Sequence, residues 1–461
     1  MSMNRPGPLL AALPLLAMIA AAPAAAAEPL RIDDAWATPD WLSLSGSYRL
    51  RYEWLDNTFR AVDPGTDDLI VSRLRFKAEA RMQNGLRFGA ELQDSRAWGA
   101  GTGTPLGTDD VNAFEPLQAY AGYRVANAFR PGDQFDLLIG RFTFGLGSNR
   151  LVGEHVFRNT RGAFTGVKFD WSPANAPRLQ AFVTRPVARE PSRRGALEDN
   201  EIELDEDANT VFWGVHVDRL RAGDLDAELY LYGIDDGDTA QRPTRNRNFL
   251  TLGGRLLGRA GVYSWSAEAA LQSGSVRETA LPADRTELDH EAWLIQTRIG
   301  RSFDSSWSPR LSLRLDAISG DRRPGDGDNE RFDSLFGPAR FDFGHTGIYG
   351  ALRRENLYSA GVYADFTPFA DSAWMIGYRA AWLASRRDSF GASGLRDPAG
   401  DSGRFAGHQV ETRFRWELAP GNLRFEAGGA MLFKGEFLTD APGAPPPSDT
   451  IYLYTNLLVT F

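Results

Sequence analysis

The chain has no cysteine, so neither disulfide staples nor thiolate metal sites are open to it. It has almost no lysine: outside Lys77, Lys168 and Lys434 every long basic side chain is arginine, whose planar fork binds carboxylates bidentately. Beyond the N-terminus there is no apolar run near the roughly 18 to 20 residues a spanning helix needs, so any membrane insertion must use tilted strands of about 9 to 11 residues. No nucleotide motif and no G-x-S-x-G occur. The histidines, His155, His216, His290, His345 and His408, fall mostly in loops or at strand ends.

What is present begins with a processing segment. Arg5 precedes an apolar run from Leu9 to Ala22, and Ala25-Ala26-Ala27 offers a small-residue cleavage site before Glu28. Residues 1–27 are therefore expected to be a leader of an exported protein and residues 28–461 a single domain.

From Leu69 to Met82 apolar and polar residues alternate. Ile70, Leu74, Phe76, Ala78, Ala80 and Met82 face one way, Arg73, Arg75, Lys77, Glu79 and Arg81 the other. Such a strand meets an apolar medium on one side and an aqueous, cationic space on the other. Leu42 to Trp54 repeats the pattern, with Tyr48, Leu50, Tyr52 and Trp54 outward and Arg49, Arg51 and Glu53 inward. About eighteen such segments can be read, the last from Ile451 to Phe461, and their connections alternate in length as outer-membrane barrels require. Asn84-Gly85, Ser172 to Pro177 and Ala419 to Asn422 are short, whereas Thr143 to Ala163, Gly320 to Asn356 and Leu383 to His408 are long. A soluble sandwich has no reason to obey that parity. Trp374 and Trp382 share an outward face about 26 Å apart at roughly 3.3 Å per residue, or roughly 20 Å across a bilayer when the strand tilts about 40°. The fold class expected is an all-β, transmembrane antiparallel barrel of the bacterial outer membrane, closed by the terminal strand and wide enough for an aqueous channel.

The inward positions place Arg49, Arg51, Arg73, Arg75, Lys77, Arg81, Arg124, Arg141, Lys168, Arg298, Arg314, Arg379, Arg413 and Arg415 in the lumen as candidate pore-lining and substrate-binding residues. The whole chain carries a formal charge of -9, so positive charge is sorted inward and negative charge elsewhere, part of it in Leu197 to Asp207. Rings of bases select anions, and low-dielectric walls focus their field. The competing reading is that Arg–Glu pairs across strands merely stiffen the wall. The acidic segment reads as a solvated surface run or a site bridged to lipopolysaccharide by divalent cations. Asp326-Gly-Asp328-Asn329 lacks the ligand spacing of a calcium loop and reads as a turn. No catalytic residue, metal site, cofactor or nucleic-acid partner is expected.

Two stretches carry a family resemblance. Gly140-Arg141 with Gly145 to Glu154, Phe157-Arg-Asn159 and Arg161 to Lys168 resembles the loop after strand 5 in the alginate-export porins of the outer membrane. Phe332 to Asn356, above all Phe332-Asp-Ser-Leu-Phe-Gly337 and Phe341 to Gly350, is similar to that family's long external loop. Phe142 departs from a polar residue usual after Gly-Arg, and Phe157 stands in place of a tryptophan. The resemblance implies an eighteen-stranded barrel with an arginine-rich constriction, loops folded as gates, and passive passage of an anionic, alginate-like polysaccharide. A periplasmic export scaffold is a compatible partner. The alternative is a general or anion-selective porin for small solutes. A barrel-embedded lipase is a third reading, which the missing serine motif disfavours.

Overall fold

The computed structural model describes residues 29–61, 65–239, 242–281 and 283–461. The expected leader lies outside them. The alternating segments form one antiparallel wall of eighteen strands, the class expected. In chain order these are β1 Leu42–Asp56, β2 Thr66–Arg81, β3 Leu86–Trp98, β4 Asn112–Ala126, β5 Gln134–Phe142, β6 Phe164–Ser172, β7 Arg178–Ala188, β8 Thr210–Ala222 and β9 Leu225–Asp236. They continue as β10 Asn248–Ala260, β11 Tyr263–Arg277, β12 Glu287–Ser302, β13 Arg310–Ile318, β14 Leu357–Phe366, β15 Ser372–Trp382, β16 Phe405–Ala419, β17 Leu423–Lys434 and β18 Thr450–Thr460. β18 returns to β1, with Ser47 opposite Thr460 and Asp56 opposite Ile451. Closure removes the sheet edge, which hydrocarbon could not solvate.

Strands continue past the apolar alternation at the end that carries the long connections: β3 runs to Trp98, β7 runs to Ala188, and β12 starts at Glu287. These extensions rise beyond the bilayer, where the outer face meets water and apolar alternation is no longer required, yet the backbone ladder continues. The short-turn end is periplasmic and the long-loop end external.

Tyr48, Leu50, Ile70, Leu74, Leu252, Ile295, Val362 and Leu453 are exposed on the outer face, as contact with lipid demands. Aromatic clusters mark both rims. Phe129, Phe135, Phe169 and Trp171 meet edge to face at the periplasmic one, and Tyr378, Trp382, Phe405 and His408 pack at the external one. The C-terminal Phe461 exchanges backbone hydrogen bonds with Gly46 at 2.8 and 3.0 Å. Its ring occupies the space a Cβ at position 46 would need. Gly46→Val is therefore expected to impair barrel closure, seen as a loss of the heat-modifiable folded band on gels; unchanged folding yield would contradict this.

The lumen is not open along its length, as an eighteen-strand circumference alone suggested. The β5–β6 connection, 143–163, and the β13–β14 connection, 319–356, fold inward. Phe144, Leu146, Leu151, Val152 and Phe157 from the first join Phe332, Phe343, Ile348 and Tyr349 from the second in one core. Inward-facing Leu69, Val71, Phe142, Phe164, Phe182 and Phe212 complete it. Each such aromatic or leucine contributes about 1.5–3 kcal/mol when buried from water, so burial favours loops that fill the external half of the barrel.

Candidate pore and anion path

The infolded loops divide the lumen. On the external side is a cavity of about 860 Å³, bordered by Arg60, Arg158, Arg189, Arg245, Arg247, Arg331, Arg353 and Arg354 together with Asp109, Asp110, Asp333, Glu355, His155 and His290. On the periplasmic side is a second, of about 420 Å³, bordered by Arg75, Lys77, Arg87, Arg124, Arg161, Lys168 and Arg178 with Glu79, Glu91, Asp136, Glu154 and Asp170. Residues 153–163 form the septum between them: Gly153, His155, Arg158 and Gly162 border the external chamber, Glu154 and Arg161 the periplasmic one. Glu154 is paired to Arg161 and accepts from Thr143 Oγ1 at 2.9 Å.

The sequence-derived basic residues separate into groups. Arg49 and Arg73 sit opposite each other on β1 and β2, and both are buried. Arg49 donates to the carbonyls of Val156 (3.0 Å), Phe157 (2.9 Å) and Arg158 (2.9 Å) and to Asn159 Oδ1 (3.0 Å). Arg73 donates to the Arg158 carbonyl at 3.0 Å. Arg51 binds Glu53 and the Phe157 carbonyl, with its guanidinium 4.1 Å from the Phe157 ring centroid. These three hold the septum. Arg379 is buried against Asp316, Ser359 and the Asp342 carbonyl, and Arg298 pairs with Asp342. Arg314 lies 3.6 Å from the Tyr363 ring centroid. These three brace the 319–356 loop and the wall behind it.

The members that border the periplasmic chamber are Arg75, Lys77, Arg124 and Lys168. Each has a carboxylate neighbour: Glu91, Glu79, Asp136 and Asp170 respectively. Arg81 lies at the periplasmic mouth, largely exposed and bound to Glu79 at 2.6 Å. Arg141 binds Glu115 at 2.7 Å and approaches Asp207 at 3.8 Å. Arg413 and Arg415 border a small recess beside Asp365 and Trp374.

The external chamber's arginines escaped the strand reading because they lie in loops or at strand ends, where no alternation assigns a face. Their only sequence signal was the family-like character of the segments holding Arg158, Arg353 and Arg354. The loops are fastened there by specific contacts. Arg60 donates to the Ile348 carbonyl at 2.9 Å, and Ile348 N–H donates to Glu53 at 3.0 Å. Gly347, at φ +76, lets the chain lie against that carboxylate where a side chain would collide.

Charge in the external chamber is tuned by burial. Burial would raise the Asp109 carboxyl, but Arg189 and Arg158 outweigh it and hold it low. Asp110, buried beside Asp109, is pushed up to about 7. Burial, reinforced by Arg158, drives His155 down to about 3, so that ring is neutral at physiological pH. Because the raised Asp110 carboxyl binds its proton as pH falls through about 7, the chamber loses a negative charge on acidification. Anion-over-cation permeability is accordingly expected to rise, by about twofold, between pH 8 and pH 6. Reversal potentials in a salt gradient would check this, and Asp110→Asn should flatten the rise. The same shift makes ionised Asp110 unfavourable in the folded state, so its contribution weakens stability as pH climbs from about 4 to about 7.

A closed barrel with lipid-facing aromatics at both rims and two charged aqueous chambers is an outer-membrane channel. The profile of the alginate export family matches residues 40–448, and the chain belongs to that family. No curated protein sequence matches it. Among solved structures it is similar in fold to OccK2 (OpdF) of Pseudomonas aeruginosa in complex with glucuronate, at 12% identity and TM-score 0.56, covering 91% of this chain and 98% of that one. OpdK of the same organism with vanillate is similar at 14% identity and TM-score 0.57, covering 91% and 99%. The protein is accordingly one of the bacterial outer membrane.

Proposed function

We propose that the protein is an anion-selective diffusion channel for carboxylate-bearing sugars, with uronates, single or linked, as the solute class, and that it conducts them without chemistry. The carrying observation is that bases outnumber acids on the walls of both chambers although the chain as a whole is acidic. A solute leaving one arginine meets another within the next chamber, and interleaved acids keep any one site from holding it too long. Membership of the alginate export family supports a uronate polymer, and the glucuronate complex of OccK2 supports the same chemistry in a single unit.

The septum favours monomers and short oligomers whenever residues 153–163 are seated, and polymer passage requires their displacement. In planar bilayers the purified protein should be anion-selective, with current blocked by glucuronate and by uronate oligomers. Liposome flux of a graded oligomer series then separates the two solute sizes. Cation selectivity, or indifference to uronates, would overturn the proposal.

A further inference from the structure

Most acids on the external chamber wall already have hydrogen-bond partners. Asp109 takes Arg158 at 2.9 Å and also Arg189. Asp333 takes Arg247 at 3.1 Å and the Leu335 N–H at 2.7 Å. Asp110 takes the Gly107 N–H at 3.1 Å. Glu355 differs. It borders the cavity, half-buried, and among the described residues its carboxylate has neither hydrogen bond nor ion pair, although Arg331, Arg353 and Arg245 lie close enough to act on it electrostatically. The bases beside it are also incompletely used. Arg353 is exposed to the cavity without a hydrogen bond or ion pair among the described residues, and Arg245 uses only Nε, on the Arg277 carbonyl at 3.0 Å.

One wall therefore offers unused guanidinium donors beside an unused carboxylate acceptor, charged groups that bulk water entering the chamber hydrates. A ligand that displaces this water must replace both sets of bonds, because a buried polar group left without a partner is costly. A plain carboxylate answers the arginines and leaves Glu355 stranded next to a second negative charge. A carboxylate that also carries hydroxyl groups answers both.

We propose that Glu355 is the hydroxyl-recognising residue of the external chamber and that, together with Arg353 and Arg245, it makes the channel prefer hydroxylated carboxylates, the acidic sugars, over carboxylates without hydroxyls. This rests on the reading of the protein as an anion channel. It assigns to an acidic residue inside an anion path a positive role in selecting the anion.

The test is single-channel block by glucuronate and by cyclohexanecarboxylate, six-membered rings of the same charge that differ in their hydroxyls. The wild-type channel should bind glucuronate about tenfold more tightly. Glu355→Met should bring the ratio near one by weakening glucuronate, while Glu355→Gln, which keeps an acceptor oxygen, should retain most of it. The ratio cancels any general gain in anion attraction from removing a negative charge. A wild-type ratio near one, or a ratio unchanged in Glu355→Met, overturns the assignment while anion selectivity itself stands. A wild-type channel that is cation-selective in the same recordings overturns the parent reading instead. Should the methionine variant fail to insert, Glu355→Ala, which likewise lacks an acceptor, supplies the same ratio and is read in the same way.

Discussion

Changing Arg49 and Arg73 together to methionine is expected to open the septum and raise single-channel conductance severalfold. The two guanidiniums face each other across the β1–β2 pair, a like-charge juxtaposition that would be unfavourable if they faced only water. It is tolerated because both point at one row of carbonyls, from Val156 to Arg158. Hydrogen bonds from a charged donor contribute about 1.5–3 kcal/mol each, net of hydration. Losing even two of them destabilises the seated state of residues 153–163 by on the order of 3 kcal/mol, a fall of about 100-fold in the seated-to-displaced ratio. Methionine retains the aliphatic packing, and Asn159, which donates to the carbonyls of Ser72 (2.8 Å) and Asp110 (2.7 Å), keeps one end of the segment attached. Bilayer recordings should show larger and noisier steps, and trypsin should cut at Arg158 or Arg161. Conductance at the wild-type level with an intact loop would show that the septum is held by its apolar contacts instead.

The second large effect is expected at Asp342. This carboxylate, buried in the short helix Arg340–Phe343 of the β13–β14 loop, takes Arg150 Nε at 3.2 Å and pairs with Arg298 and Arg354 as well. Arg354 also donates to the Arg150 carbonyl at 2.6 Å, so both infolded loops and the wall meet at one anion. Asp342→Asn leaves several buried guanidiniums without their shared charge, and breaking a buried pair this way costs about 3–5 kcal/mol. Glu268 neutralises Arg150 in part but does not replace the hub. The loop should detach while the barrel wall, with its own ladder, remains folded. Proteolysis within 319–356 and a raised, less selective conductance at an unchanged heat-modifiable gel shift are the expected signature. A variant with wild-type protease resistance would show that the apolar core suffices to hold the loop.

The wall was legible in the sequence because a strand has period two: once Arg73, Arg75 and Lys77 share a face, Leu74 and Phe76 must share the other. Parity of loop length set the orientation, and the loop motifs at Gly140 to Lys168 and Phe332 to Gly350 indicated the family. Residues past the bilayer were harder to place, since β3, β7 and β12 continue there without an apolar outer face.

By itself, then, the sequence determined a lipid-facing barrel with arginine turned inward, because those properties follow from local alternation and charge. Only the tertiary structure decided what each inward guanidinium meets. Arg49, Arg51, Arg73 and Arg379 hold loops, while Arg75, Lys77, Arg124 and Lys168 border an aqueous chamber, and the external chamber is built largely from loop residues that no periodicity assigns to a face. The physical reason is range. Facing is set between neighbouring residues, whereas the occupant of a lumen is set by segments a hundred or more positions away, folded inward to bury their own phenylalanines.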